Sequence, residues 1–145
     1  MSAESNKAVA RRWYEEGMAG GNLAVIDELF MADFRGHNPQ EQAAGPGREG
    51  LKRYFEAALA SVKNVRVTVE DMIAEGDKVV ARYTVRGAIE DDFMGIPAAG
   101  KAITLTAIDI LRFEGGKIAE HWDESDMLSM MQQLGAIPAP PDAAH

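Results

Sequence analysis

A chain of 145 residues, 46% hydrophobic and 26% charged, has the size and composition of one ordinary globular domain and lies far from the disordered class. It carries no cysteine, which excludes disulfides, thiolate metal sites and cysteine nucleophiles. Its net charge of −8 argues against nucleic acid and against anionic membranes as partners, because both repel an acidic surface.

The opening residues, MSAESNKAVARRW, contain no apolar signal core. No apolar run approaches the roughly 20 residues of a membrane span, so the expected location is the cytoplasm. Ser5 can cap a first helix running to about Met18, with Val9 and Trp13 on its buried side and Gly20-Gly21 as its stop. Asn22 is placed to cap a short second helix whose Leu23, Ile26, Leu29 and Phe30 face inward. A loop rich in Gly and Pro follows, from Arg35 to Gly47. Leu51, Tyr54, Phe55, Ala58, Leu59 and Val62 then recur at helical spacing and mark a third helix.

After Lys63 the period changes to two. Val65, Val67 and Val69 alternate with polar residues, and Glu75-Gly76-Asp77-Lys78 makes a turn into Val79, Ala81, Tyr83 and Val85. A loop from Asp91 to Gly100 precedes a long strand, Ile103 to Phe113. Glu114-Gly115-Gly116-Lys117 is a hairpin turn, and Ile118 to about Glu124 is the returning strand. Met127 to Leu134 reads as a closing helix, and the Pro-rich tail from Pro138 to His145 as frayed. Helices first and an antiparallel meander second define an α+β domain, a single one over residues 1–145, with the helices on one face of a curved sheet.

Within the long strand, Asp109 stands on the apolar face with Ile103, Leu105, Ala107, Leu111 and Phe113. Desolvation there raises a carboxyl pKa toward the range a general acid or base needs, although a structural aspartate bonded to an amide or an arginine satisfies the same pattern. In the next strand Ile118, Glu120, Trp122, Glu124 and Asp126 share one parity. Asp126 stands where strand gives way to helix, as a pocket-floor carboxylate or as the N-cap of the last helix. Trp122 is either a cavity wall or plain core. His37 can donate to an oxyanion when protonated, or be satisfied by backbone in its loop. Tyr14 can offer a hydroxyl to a pocket from the first helix. The acidic cluster of Glu120, Asp123, Glu124 and Asp126 around His121 matches no standard metal spacing and reads as a solvated edge. The chain has no G-x-S-x-G elbow, P-loop or G-x-G-x-x-G, so nothing calls for a cofactor.

Several stretches together resemble a known family. They are Phe34, His37 and Pro39, then Gly50-Leu-Lys-Arg-Tyr-Phe55, Met94-Gly-Ile-Pro-Ala-Ala-Gly-Lys101, Asp109-Ile-Leu-Arg-Phe113, Gly116-Lys-Ile-Ala-Glu-His-Trp122, Asp126 and Gln133-Leu-Gly135. From about Asn6 to Gly135 the chain resembles the SnoaL-like polyketide cyclases of the NTF2-like, or cystatin-like, superfamily. The resemblance implies a cone-shaped fold, a bent antiparallel sheet wrapped around N-terminal helices with a deep apolar pocket. It also implies cofactor-free ring closure by aldol condensation, or isomerisation, of a small apolar carbonyl substrate. Asp126 matches the position of the family's acidic base, His37 that of a pocket-lining histidine, and Asp109 and Trp122 pocket-facing positions. On this reading Asp126 abstracts a proton beside a carbonyl. His37 or a protonated Asp109 stabilises the enolate, and Trp122, Phe34, Phe55 and Met127 hold a flat substrate. Epoxide or ester hydrolysis, dehydration, and a non-catalytic ligand-binding domain are the alternatives. Ile108 and Ile110, opposite Asp109 on the strand, point to a homodimer through the outer sheet face.

Overall fold

The computed structural model describes residues 2–92 and 95–139. Met94 of the loop motif and the tail from residue 140 onward lie outside the described residues. The chain opens with α1 (Ala3–Arg12), capped by Ser2 rather than Ser5. The Ser5 N–H donates to Ser2 Oγ at 3.0 Å and the Ser2 N–H donates to Ser5 Oγ at 3.0 Å, a reciprocal box that satisfies two free amides at once. The helix then widens into a π-helical segment, Trp13–Ala19. A Cβ at Gly17 would stand 2.3 Å from the Trp13 ring, so the missing side chain lets the indole lie back along its own helix. There the indole meets Phe30 and Phe55 edge-on at 5.1 and 4.9 Å.

Asn22 does not cap the next helix. α2 (Val25–Leu29) starts after Ala24 without a side-chain cap, and Asn22 contributes only its carbonyl, to the Val25 N–H at 3.3 Å. Residues read as helix end and loop form strand β1 (Phe30–Gly36) and helix α3 (Pro39–Ala43). β1 has no period-two alternation; only Phe30 and Phe34 are buried along it, and its register against the sheet slips between Phe30 and Arg35. A strand of that kind leaves no pattern to read. α4 (Gly47–Ala60) then lies across β1 and the sheet.

β2 (Val62–Glu75), β3 (Lys78–Ile89), β4 (Ala102–Glu114) and β5 (Lys117–Ser125) follow as antiparallel neighbours, and α5 (Met127–Gln133) closes the domain. The sheet order is β1-β5-β4-β3-β2, open at both ends. Because β1 pairs with β5 in parallel, the sheet is mixed rather than wholly antiparallel. Gly115 and Gly116, with φ of +56° and +81°, make the two-residue β4–β5 turn, whose twist matches the flanking strands and which only residues tolerant of positive φ can form. Three residues beyond it the register slips. Phe113 pairs with Ile118, but Arg112 pairs with Glu120, so β5 carries one extra residue. That bulge reverses the parity of everything after it. His121, Asp123 and Ser125 join the inner face opposite Leu111, Asp109 and Ala107, and Glu120 and Trp122 pair with Arg112 and Ile110 on the outer face.

Tyr14, Ile26, Phe30, Val79, Leu111 and Ile118, all essentially inaccessible, lie at the centre of the main core between helices and sheet. A smaller cluster of Ile89, Ala98, Ile103, Met130 and Leu134 packs α5 against the far ends of β3 and β4. Between the two clusters the inner sheet face is not filled by side chains.

Candidate active site

The unfilled region is a cavity of about 570 Å³, bounded by the π-helical segment, α3, α4, α5 and the inner faces of β3, β4 and β5. Its walls are largely apolar, and no Lys or Arg lines it among the described residues. Four side chains give it chemistry: Asp109, Asp123, His121 and Glu41.

Asp109 is 3% exposed on β4. The Tyr14 hydroxyl donates to its Oδ2 at 2.8 Å and the Tyr83 hydroxyl to its Oδ1 at 3.2 Å. Burial pushes this carboxyl up to about 7, against the opposing pull of the His121 charge and the two tyrosine bonds, with the nearby Asp123 adding to the rise. Both phenols are held well above their usual range, by burial first and then by the Asp109 charge. Asp123 is the cross-strand partner of Asp109. Its Oδ2 accepts from Asn38 Nδ2 at 3.3 Å, whereas Oδ1 is buried and has no hydrogen-bond partner among the described residues. A buried acceptor in that state can take a hydrogen bond from whatever fills the cavity.

His121 is buried on β5, 6% exposed, with Phe34 edge-on at 5.1 Å. Its Nε2 is bonded to Glu41 Oε2 at 2.6 Å. Burial opposes a charge on the ring. The bond to Glu41 and the charges of Glu41, Asp109 and Asp123 outweigh it, so the pKa is raised. Glu41, His121 and Asp123 each present a polar side-chain atom within 4.8 Å of the others, and Glu41 and His121 are bonded directly to each other.

The residues singled out from sequence are only partly brought together. Asp109, Phe55 and Met127 line the cavity, and Tyr14 stands behind Asp109. His37 lies at the mouth, its Nε2 bonded to Glu120 Oε2 at 2.6 Å and its ring stacked on Trp122 at 4.9 Å. Trp122 is therefore on the outer side of the sheet, not in the cavity wall, because the bulge reversed its parity. Glu120 also accepts from Arg35 and Arg112, each at 3.0 Å. The bond to His37 first, then the two arginines, overcome its burial and hold its carboxyl down at about 2. The cluster read as a solvated edge is thus divided: Glu120 is a buried, fully paired anion outside the cavity, and Asp123 is inside. Phe34 faces a second concavity of about 710 Å³ beside β1 and α4. Asp126 is exposed and outside the cavity lining; its Oδ1 accepts the Ser129 N–H at 3.0 Å as the N-cap of α5.

Glu41, Asn38, Tyr83, His121 and Asp123 were not recognised from sequence as parts of a site. For Tyr83 the signal was present, a hydroxyl on the apolar parity of β3. Ala81 pairs with Asp109 and Tyr83 with Ala107, which puts the tyrosine diagonally across from the carboxyl. Glu41 and Asn38 reach the site from a segment with no periodicity, and His121 and Asp123 depend on the bulge.

The SnoaL-like polyketide cyclase family model matches residues 8–134. Among solved structures, TsrD from Streptomyces laurentii is 31% identical with a TM-score of 0.86, over 94% of this chain and 99% of its own. Wild-type IdmH from Streptomyces antibioticus is 32% identical with a TM-score of 0.77, over 90% of this chain and 98% of its own. AclR from Streptomyces galilaeus, 24% identical over 97% of this chain and 87% of its own, shares the fold with a TM-score of 0.83. No curated protein matches the chain.

Proposed function

The chain belongs to the SnoaL-like polyketide cyclase family, and from that premise we propose that it catalyses acid–base chemistry on a small apolar carbonyl compound. The reaction is aldol-type ring closure or isomerisation within the 570 Å³ cavity. One observation carries the reading: two carboxyls, paired across adjacent strands, face the same largely apolar cavity from unlike surroundings. Asp109 is enclosed and holds its proton to near neutrality, while Asp123 keeps one oxygen open. Environments that separate two carboxyls in this way divide the acid and base roles between them.

Asp123 Oδ1 removes a proton from the carbon beside the carbonyl, and the C–H electron pair passes into the enolate. Hydrogen bonds from His121 and from the protonated Asp109 meet the charge developing on oxygen. The enolate carbon then attacks a second carbonyl of the same molecule, or is reprotonated at another carbon. The proton held by Asp123 returns to the product, so neither water nor an oxidant is consumed. Asp123 takes over the base role that the resemblance implies for Asp126, which is engaged as a helix cap. Phe55 and Met127 bound the apolar space for the substrate body. The reading includes a homodimer built through the outer sheet face, where Ile108 and Ile110 are 47% and 37% exposed.

The test needs no knowledge of the natural substrate. Exchange of the α-protons of an aromatic methyl ketone such as 2-acetonaphthone in D₂O, followed by NMR, reports the first step alone. The wild type should accelerate exchange, and Asp123→Asn should lose on the order of 10²- to 10⁴-fold. Asp109→Asn keeps a hydrogen-bond donor and should lose less. The wild-type rate should fall above about pH 7 as Asp109 gives up its proton, and the Asn variant should lack that fall. A ketone that binds but exchanges only at the buffer rate would replace this reading with a binding role.

A further inference from the structure

We infer that Glu41 is a positioning residue for His121: placed by α3, its carboxylate takes Nε2–H, so that the protonated ring presents Nδ1–H as a donor to the oxygen of a bound enolate. The inference rests on the acid–base reading of the cavity and names a part of it that the reaction scheme alone does not require. Glu41 is 6% exposed, and among the described residues its carboxylate makes one side-chain hydrogen bond, to His121 Nε2 at 2.6 Å. With Nε2–H directed at a carboxylate, that nitrogen is committed to Glu41, and the protonated ring has Nδ1–H left to donate to the ligand. No hydrogen bond to Nδ1 is found among the described residues, and His121 lines the cavity.

The fold makes room for this pair. A Cβ on Gly36 would stand 2.6 Å from Glu41 Oε2 and 3.3 Å from His121 Nε2, so the space the carboxylate and ring occupy depends on a residue without a side chain. The segment that delivers Glu41 is joined to β5 by three further bonds in succession. The His37 N–H donates to the His121 carbonyl at 3.2 Å, the His37 ring meets Glu120, and Asn38 donates to Asp123. Each helps fix the placement of the Glu41 carboxylate. The groups that act on the His121 ring come from every packed element. They are Glu41 from α3, Asp109 from β4 and Asp123 from its own strand, with Tyr54 of α4 and Tyr83 of β3 close enough to feel the Glu41 charge. Only Glu41 is bonded to the ring.

The test compares wild type, Glu41→Gln and Gly36→Ala by ¹⁵N NMR of the histidine rings across pH, with the amide spectrum as the check on folding. Glu41→Gln preserves the shape of the side chain and removes its charge. The His121 midpoint should then move down, and the neutral ring should no longer favour the Nε2–H form. Gly36→Ala, which displaces the carboxylate, should move it the same way. An unchanged His121 midpoint and tautomer in a folded Glu41→Gln protein would overturn the inference. A second readout uses 2-naphthol, whose ionised oxygen mimics an enolate. Binding of the naphtholate form, followed by absorbance, should weaken by roughly tenfold in Glu41→Gln, and equal binding in both proteins would also count against it. If His121 responds to Glu41 but no protein binds naphtholate or exchanges the ketone, the positioning stands and the catalytic reading fails.

Discussion

Asp109 and Glu120 lie on neighbouring strands, both nearly inaccessible, and their carboxyls are displaced in opposite directions, to about 7 and about 2. The difference lies in what each meets. Asp109 meets two neutral hydroxyls inside an apolar cavity, whereas Glu120 meets a histidine and two arginines at the sheet surface. The linkage signs follow. The folded state binds the Asp109 proton more tightly than the unfolded chain, whose aspartates titrate near 3.9, so stability falls as pH rises from about 4 to about 7. Asp109→Asn should therefore raise Tm at pH 8 and change it much less at pH 4. The folded state binds the Glu120 proton less tightly, so its contribution is present above the unfolded value of about 4.3 and disappears as pH falls toward 2. Glu120→Gln should lower Tm at pH 7 and have little effect near pH 2. Thermal melts of the two variants over pH would return curves of opposite slope; parallel curves would contradict the two environments described.

At the scale of elements, the boundary between strand and helix at Asp126 separates what the sequence displays from what it conceals. Both roles were legible there, capping and catalysis, and the hydrogen bond to Ser129 N–H supports the cap. Asp126→Ala should cost about 1 kcal/mol of stability, Asp126→Asn almost nothing, because Asn caps as well as Asp. Neither should change ketone exchange, and a large loss of exchange in a folded Asp126→Asn protein would restore this residue as the base. The alternation of β2, β3 and β4 announced those strands, and the uninterrupted antiparallel register between β3 and β4 preserves parity and keeps Asp109 on the inner face. In β5 a single inserted residue exchanged Trp122 for Asp123 as the cavity-facing side chain, and composition does not reveal where a register slips. β1 and α3 were hidden for a related reason. Their places are set by partners some 80 residues away, Glu120 and His121 among them, not by a pattern of their own. The π-helical segment was also invisible, although Gly17 under the Trp13 ring marks it afterwards. Gly17→Ala should force that ring off its seat, and a red-shifted Trp13 fluorescence would report its move toward water.

For the whole molecule, the outer face of the sheet poses the remaining question. Val80, Ile110 and Trp122 are register partners on β3, β4 and β5 and form one apolar row across it, with Ile108 beside them on β4. The core packs against the opposite face, whereas on this one Ile108 and Ile110 are exposed and Trp122 is half-buried under the stacked His37 ring. Singly exposed apolar side chains are ordinary, but a row shared by three strands is the kind of surface that a second copy covers. A twofold pairing sets the row against itself, and the charges at its margins are already paired, Arg82 with Asp71 and Arg112 with Glu120. A stable dimer of this type buries about 1,200–2,000 Å² in total, which a face of four strands can supply. Sedimentation equilibrium should show a dimer for the wild type and a monomer for Ile110→Lys. Because Ile110 and Asp109 are consecutive on β4, they face opposite sides of the sheet. The monomeric variant should therefore retain ketone exchange at the wild-type rate, whereas loss of exchange on dissociation would mean that the second copy holds the cavity in its working shape. A monomeric wild type would leave the apolar row without a partner and remove the dimer from the proposal while leaving the cavity chemistry untouched.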